Sequence, residues 1–347
     1  MVLDIKTAGE SRRDLVSLGE ILLRFCPADG RIRTARSFDV FDGGGEYNVA
    51  KNLASCFHLK TAVVTALADN EFGRLAEHLA RAGGVDVSEI LWRAADGTRN
   101  GLYFIERGFG LRAPASCFDR KDTAVSNLKP GEFDWERICR SARWLHTGGI
   151  FAGLGESTPG VALEAMQTAR SAGAVVSFDL NYRDSIWREK GGREAANRLN
   201  RELLEHADVV FGLFDFDARL SRYDEAEFRR KAEAVKKDFP RLRIIVSSLR
   251  DVATAGRHDL SVALWCEGEV FKARDYTNCE VFDRVGSGDA IAAGVIYGFL
   301  QGETPQFAAD CGAACGVLAM TTAGDNLQVS KTEVEDLMRG AGAAVKR

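Results

Sequence analysis

The chain has 347 residues, of which 46% are apolar and 28% are charged; this composition is ordinary for a globular protein and excludes wholesale disorder. Lysine and arginine number 46 against 50 acidic residues, so the net charge of −4 leaves no basic excess to neutralise a nucleic-acid backbone. The longest nearly uninterrupted apolar run, Ile291 to Leu300, is about half the roughly 20 residues that cross a bilayer, which predicts a buried helix and no membrane partner.

The eight cysteines form no C-x-x-C pair, and a chain of this length needs no disulfides to be stable. They are expected to be reduced thiols. The stretch from Met1 to Leu15 contains several charged residues and no apolar segment of the kind found in a secretory signal. The sequence therefore predicts a cytoplasmic protein.

The first 120 residues predict a small sheet inserted into an α/β domain. Leu18 to Phe25 is expected to be one strand, and amphipathic helices are expected at Glu46 to Phe57 and at Glu71 to Ala82. Segments at about 24–42 and 100–120 contain alternating, partly polar runs interrupted by glycine and proline. This pattern favours an antiparallel flap.

From about residue 140 onward, short apolar runs alternate with helical patterns, which is typical of βαβ units. Ala174 to Asp179, Ala207 to Phe211 and Arg243 to Val246 are mainly apolar or β-branched, as expected for interior strands of a parallel sheet that is covered on both faces. No repeat or long linker divides the chain. We therefore predict one α/β domain over residues 1–347.

A glycine-rich segment at 283–290 carries the strongest chemical signal. It follows a strand-like stretch, Tyr276 to Phe282, and opens the apolar helix, so backbone N–H groups and the helix dipole favour an anion there. Asp289 in the first helical turn can simply complement the dipole. Beside a phosphoryl group, the same carboxylate can accept a proton from an attacking hydroxyl.

A second glycine cluster, Gly43-Gly44-Gly45-Glu46-Tyr47-Asn48, also precedes a helix. Alone, it is equally consistent with a flexible turn. The chain contains no Gly-Lys dipeptide, which excludes a Walker-type nucleotide site. A dehydrogenase is disfavoured as well, because no G-x-G-x-x-G lies in an early βαβ unit.

Together, the two glycine segments resemble the two signatures of the ribokinase-like (PfkB) carbohydrate kinases, and the similarity runs from about residue 15 to residue 338. The resemblance implies a three-layer α/β/α sandwich with a small β-sheet lid. It also implies that Asp289 is the catalytic base and that the amides of Gly286, Ser287 and Gly288 form an anion hole.

Further stretches resemble the 2-keto-3-deoxygluconate kinases of that family: residues 101–106 with 118–120, Asp179 to Arg183, Val285 to Leu300, and Gly324 to Asn326. The resemblance implies ATP and Mg²⁺ as cofactors, with room for a monovalent cation such as K⁺, and a homodimer or higher oligomer formed through the lid. It implies sugar-acid contacts at Gly44, Asn48, Tyr103, Arg120, Arg183 and Asp289. It implies nucleotide contacts at Ser248, Arg250, Gly286, Gly288 and Asn326, the last near the adenine.

Several of these residues have plainer interpretations. Arg183 can be a surface residue, although ligands bind where parallel strands end. Arg120 can pair with Asp119 or Asp122 instead of a ligand. Tyr103 alternates with apolar neighbours in a predicted strand, so it faces either the core or the ligand.

One segment departs from the family pattern. Where these kinases usually carry N-x-x-E in support of magnesium, this chain has Phe211-Gly212-Leu213-Phe214-Asp215-Phe216-Asp217. Only Asp215 or Asp217 is left to support the metal, indirectly. The departure leaves open a slow enzyme, another substrate, or an inactive protein.

The function favoured by the sequence is an ATP-dependent kinase for the primary hydroxyl of a keto-deoxy sugar acid, 2-keto-3-deoxygluconate in particular. The alternatives are a fructokinase or another ketose or nucleoside kinase, and a non-catalytic sugar or nucleotide sensor. Asp289 favours an enzyme over a sensor.

Overall fold

The computed structural model of the protein describes residues 2–9, 11–28 and 30–340. Its strands are β1 (Arg13–Leu18), β2 (Leu22–Cys26), β3 (Asp39–Gly43), β4 (Thr61–Ala68), β5 (Asp86–Arg93), β6 (Leu102–Glu106), β7 (Ala115–Asp119), β8 (Ala142–Gly148), β9 (Val175–Asp179), β10 (Val209–Phe211), β11 (Ile244–Thr254), β12 (Arg257–Cys266), β13 (Glu269–Lys272) and β14 (Tyr276–Glu280). Its α-helices are α1 (Gly45–Phe57), α2 (Glu71–Ala82), α3 (Trp135–Arg140), α4 (Gly149–Leu154), α5 (Thr158–Ser171), α6 (Asp184–Trp187), α7 (Gly192–Leu204), α8 (Glu225–Asp238), α9 (Ser287–Leu300), α10 (Pro305–Ala319) and α11 (Lys331–Met338).

The large sheet has the strand order β13-β12-β11-β10-β9-β8-β1-β4-β5, with β14 paired to β12. The strands from β5 to β11 in this order run parallel, whereas β12 pairs antiparallel with β11, β13 and β14. The three predicted interior strands are confirmed as β9, β10 and β11, of which β11 extends further than its apolar run. Parallel strands end at a common edge, which is where side chains for a site converge.

Helices cover both faces of this sheet. Helices α1, α9 and α10 pack on one face, and α3, α5 and α8 pack on the other. Successive residues of β1 enter opposite cores, Leu15 on the α1 side and Val16 on the α5 side, so both faces of the strand are covered. The expected three-layer α/β/α sandwich is confirmed.

A second sheet, of order β3-β2-β6-β7, forms the lid. Its outer pairs are antiparallel as predicted, but β2 and β6 run parallel, so the expectation of a purely antiparallel flap is wrong. The pair β2–β3 and the pair β6–β7 come from distant parts of the chain. They join through β2 and β6, which run in the same direction.

The predicted strand from Leu18 to Phe25 is two strands. The chain leaves the large sheet at Leu18 and enters the lid at Leu22, and between them a β-carbon at Gly19 would lie 2.6 Å from that of Glu46. Glycine lets the backbone pass this buried glutamate at close range. The requirement for glycine at this position is therefore set by a side chain that is distant in the sequence.

The apolar run near the C-terminal end lies in α9, whose residues are almost all buried against α1 and α10. Among the described residues, no helix combines the length and the apolar character that a bilayer crossing requires.

Candidate active site

A cleft of about 820 Å³ lies between the lid and the ends of the parallel strands. It is open at the surface and mixes polar with apolar walls. The predicted site residues that line it are Gly44, Asn48, Tyr103, Arg120, Arg183, Ser248, Arg250, Gly286, Gly288 and Asp289. Residues predicted from opposite ends of the chain are thus neighbours in one cavity.

The floor of the cleft is the N-terminus of α9. Gly286 caps this helix with φ of 77°, and a β-carbon there would lie 1.8 Å from the carbonyl oxygen of Asp325, so only glycine fits. The first-turn N–H groups have no partners within a helix and can bind an anion. Ser287 is buried and donates its hydroxyl to the carbonyl of Gly316, which anchors this turn to α10.

Asp289 lies in the first turn of α9 and accepts a hydrogen bond of 2.7 Å from Nδ2 of Asn48 in α1. Burial raises the pKa of Asp289 well above the ordinary aspartate value, and nearby Asp179 raises it further, whereas Asn48 and Arg183 oppose the shift. A carboxylate with a raised pKa accepts a proton from an alcohol more readily than an ordinary aspartate does.

Two more acids lie in the same low-dielectric region and were not predicted as site residues. Burial raises the pKa of Asp179, at the end of β9, to about 6, although a hydrogen bond from the backbone N–H of Asn181 acts to lower it. Burial raises the pKa of Glu46 to about 7, although the Phe151 N–H donates to its Oε1 at 3.0 Å. Asp179 lies at a strand end and Glu46 lies inside a glycine cluster. Both positions could have marked these acids as site residues from the sequence.

The two arginines predicted for the sugar acid differ in their surroundings. Arg120 on the lid donates to Glu20 at 2.6 Å, not to Asp119 or Asp122. Arg183 follows β9, is exposed to the cleft and forms no ion pair within the described part of the chain. Of these two arginines, Arg183 is therefore the one free to take an anionic substrate group.

A buried ionic network joins the lid to the core loops. Arg24 of β2 is fully buried, donates to Asp325 at 2.7 Å and also pairs with Asp283, while the hydroxyl of Tyr103 in β6 donates to Asp325. The ring of Tyr103 stacks on Phe118 at 5.3 Å and lines the cleft. Tyr103 was expected to face either the core or the ligand. Its hydroxyl joins the buried network while its ring lines the cavity, so it does both.

Nucleotide contacts were predicted at Ser248, Arg250 and Asn326. The first two line the cleft, and Arg250 donates to Oγ of Ser287 at 2.9 Å. Asn326 does not line it. Its amide donates to the carbonyl of Asp42, and the residue borders a separate pocket of about 340 Å³ behind the lid strand β3. The direct adenine contact predicted for Asn326 has no support in this geometry.

The indirect metal-supporting role predicted for Asp215 and Asp217 stays a prediction, which their placement does not favour. Neither residue lines the cleft, and Asp217 pairs with Arg219 and Arg222 at the surface. The cleft wall is formed instead by Leu213 and Phe216, whose side chains offer no metal ligand. The loop after β10 passes through the left-handed backbone region at Asp215, with φ of 55°.

We therefore expect Asp215→Asn and Asp217→Asn to leave the Mg²⁺ dependence of the enzyme within about twofold of the parent, because groups that support a metal typically change affinity about 10–100-fold when lost. The measurement is the Mg²⁺ concentration that gives half-maximal rate. A tenfold rise in either variant would show that this loop reaches the metal during turnover.

Comparison with known proteins identifies the fold and the family. Residues 12–332 match the pfkB family of carbohydrate kinases. A 2-dehydro-3-deoxygalactonokinase of Haloferax volcanii is 32% identical over 96% of this chain and 99% of its own, and a 2-dehydro-3-deoxygluconokinase of Thermoproteus tenax is 27% identical over 96% and 97%. The crystal structure of a 2-dehydro-3-deoxygluconokinase from Thermotoga maritima covers 95% of this chain and 100% of its own with a TM-score of 0.86 and 33% identity. The chain belongs to the pfkB family of carbohydrate kinases and is a phosphotransferase with an alcohol group as acceptor.

Proposed function

We propose that the enzyme transfers a phosphoryl group from ATP to the primary hydroxyl of a keto-deoxy sugar acid, 2-keto-3-deoxygluconate in particular. The observation that carries the proposal is Arg183, a cation without an ion pair in the described structure, in the same cleft as Asp289. Its planar guanidinium matches a carboxylate. The names of the similar kinases support the same substrate class.

The chain's own residues supply the chemistry of phosphoryl transfer. The sugar hydroxyl attacks the terminal phosphorus, its proton passes to Asp289, and the bond from that phosphorus to the bridging oxygen breaks to release ADP. The N–H groups at the start of α9 stabilise negative charge on the transferred group. Asn48 holds the carboxylate of Asp289 in place.

Family membership implies ATP with Mg²⁺, and Mg²⁺ contributes neutralisation of phosphate charge when it is bound. A dependence on K⁺ or another monovalent cation stays a proposal. So does the cytoplasmic location, which is consistent with eight cysteines that are all free thiols.

A homodimer or higher oligomer formed through the lid is part of the same proposal. Strand β7 is exposed along its whole length and forms one edge of the lid sheet, a position from which a strand can pair with a second chain. The loop that precedes it exposes Phe109 and Leu111. The molar mass of the protein in solution is the measurement that decides this point.

The test of the substrate is a comparison of Arg183→Lys with the parent on an acidic and a neutral sugar. A lysine keeps the charge but loses the bidentate geometry. We expect kcat/KM for 2-keto-3-deoxygluconate to fall about 10–150-fold, as for loss of a charge-assisted hydrogen bond, and that for fructose to change little.

Arg188→Lys is the matched control, because Arg188 is exposed and pairs with Asp184 outside the cleft lining. A parent enzyme that prefers fructose, or an equal loss on both sugars in Arg183→Lys, would remove the sugar-acid assignment in favour of a neutral-ketose kinase.

A further inference from the structure

One buried arginine of the lid contacts both of the loops that flank the start of α9. Arg24 of β2 is fully buried, and its two terminal nitrogens donate to different acids, one to Asp325 at 2.7 Å and the other to Asp283. Asp283 lies shortly before the cap of α9, and Asp325 lies in the loop between α10 and α11. The guanidinium therefore joins the lid to two separate segments of the core.

Each of these acids also contacts the turn from which α9 begins. Oδ1 of Asp283 accepts a hydrogen bond from the N–H of Val285 at 3.2 Å. The backbone of Asp325 lies directly against Gly286, where a β-carbon would be 1.8 Å from its carbonyl oxygen. A displacement of either acid would therefore displace the turn that sets the direction of the first N–H groups of α9.

The two carboxylates need a cation between them to stay in place. Burial raises the pKa of Asp325, the charge of Asp283 raises it further, and the charge of Arg24 lowers it. Two buried carboxylates repel one another strongly when no cation separates them. A planar guanidinium presents its donors in a rigid fork, so it can bind both acids at once and fix their spacing, whereas the ammonium group of lysine is a single point charge.

The lid sheet holds Arg24 in a defined position. In the register of the sheet, Arg24 is paired with Phe41 of β3 and with Tyr103 of β6. The guanidinium carbon of Arg24 lies 5.5 Å from the centre of the Phe41 ring, and the hydroxyl of Tyr103 donates to Asp325. Three adjacent lid strands thus support the contact with the loop that carries Asp325.

We propose that Arg24 is a positioning residue for phosphoryl transfer, because its guanidinium holds Asp283 and Asp325 at the spacing that directs the first N–H groups of α9 toward the transferred phosphoryl group. Arg24 and Asp283 both lie outside the described lining of the cleft, so they act through the turn and not by touching a substrate. The inference rests on the proposed function only in taking ATP as the phosphoryl donor.

Arg24→Lys and Asp283→Asn test this role. Lysine keeps the charge but loses the fork, and asparagine keeps an oxygen for the N–H of Val285 but loses the charge. We expect kcat/KM for ATP to fall roughly 10–100-fold in each variant, because a misplacement of about 1 Å near a reacting group has an effect of this size. The double variant should lose little more than either single variant, since both changes break the same link.

The rates are measured with the sugar that the parent phosphorylates best, and they are expressed per molecule able to bind adenosine, which has no phosphate. Calorimetric titration with adenosine counts these molecules, and its affinity should equal that of the parent. Arg31→Lys is the matched control and should keep the parental rate, because Arg31 is half-exposed and pairs with Glu106 elsewhere in the lid.

A purely stabilising role of Arg24 would reduce the number of molecules that bind adenosine and leave the rate of each unchanged. A value of kcat/KM within about twofold of the parent, after this normalisation, therefore overturns the proposal. A loss of adenosine affinity that matches the loss of kcat/KM also overturns it, because it indicates general damage to the cleft. Neither outcome depends on which sugar the enzyme prefers, so failure of the sugar-acid assignment is detected separately.

Discussion

Replacing Asp289 with asparagine is expected to lower kcat about 10²–10⁴-fold while the affinity for ATP is preserved. The amide keeps the size of the side chain but cannot take up the proton of the attacking hydroxyl. Asn48 would then face an amide in place of the carboxylate that accepts its hydrogen bond of 2.7 Å. Binding of the nucleotide depends on other residues and should survive.

Single-turnover rates and ATP titrations on the same protein samples measure the two effects separately. Asp184→Asn is a suitable control, since Asp184 is exposed and pairs with Arg188. The parent should lose kcat/KM as the pH falls through the raised pKa of Asp289, because protonation removes the base. A variant that retains more than about a tenth of the parent rate would mean that another group takes the proton.

Replacing Arg24 with methionine is expected to lower the free energy of unfolding by about 3–5 kcal/mol. Methionine fills similar space, but Asp283 and Asp325 would remain buried without a cation between them. The substitution would also remove the ion pairs between the lid strand β2 and the loops that flank the cap of α9. We therefore expect weaker anion binding at the start of α9 as well.

Urea denaturation of the parent and the variant gives this difference. Arg31→Met provides the comparison within the same lid, because Arg31 is half-exposed, pairs with Glu106, and should cost no more than about 1 kcal/mol. Arg24 lowers the pKa of Asp325 against the effect of burial, so in its absence this carboxyl protonates more easily. The difference in the free energy of unfolding between the parent and Arg24→Met should therefore become smaller as the pH falls. A difference that does not change with pH would contradict the explanation by loss of the buried ion pairs.

The features predicted correctly from the sequence are those fixed by local chemistry. A largely apolar run such as Val175 to Phe178 indicates a covered strand, and the glycines around Ser287 indicate a close-approach turn before a helix. Once these elements are predicted, the positions of the residues at their strand ends and helix starts are predicted as well. Asp289 and Asn48 therefore meet where the two motifs indicated.

The features that the sequence did not predict depend on distant neighbours. Gly19 lies where its backbone passes Glu46 at close range, and Arg24 is buried where it pairs with Asp283 and Asp325, both more than 250 positions later in the chain. Charged residues within a strand ordinarily indicate an exposed face. Whether the side chain of Asp215 or that of Phe216 enters the cleft is decided by the path of one loop, which has no periodic pattern to reveal it.

The bond between Asn48 and Asp289 joins residues 241 positions apart, and α1 and α9 also meet through the stacked rings of Phe57 and Tyr297 at 4.0 Å. A ribosome adding about 5–20 residues per second needs roughly 12–50 s to make the intervening chain. Throughout that interval the part of the site around Asn48 has been synthesised but the catalytic base, Asp289, has not. Phosphotransfer therefore begins only when synthesis has passed α9, so a prematurely terminated chain that carries every lid strand is still devoid of activity.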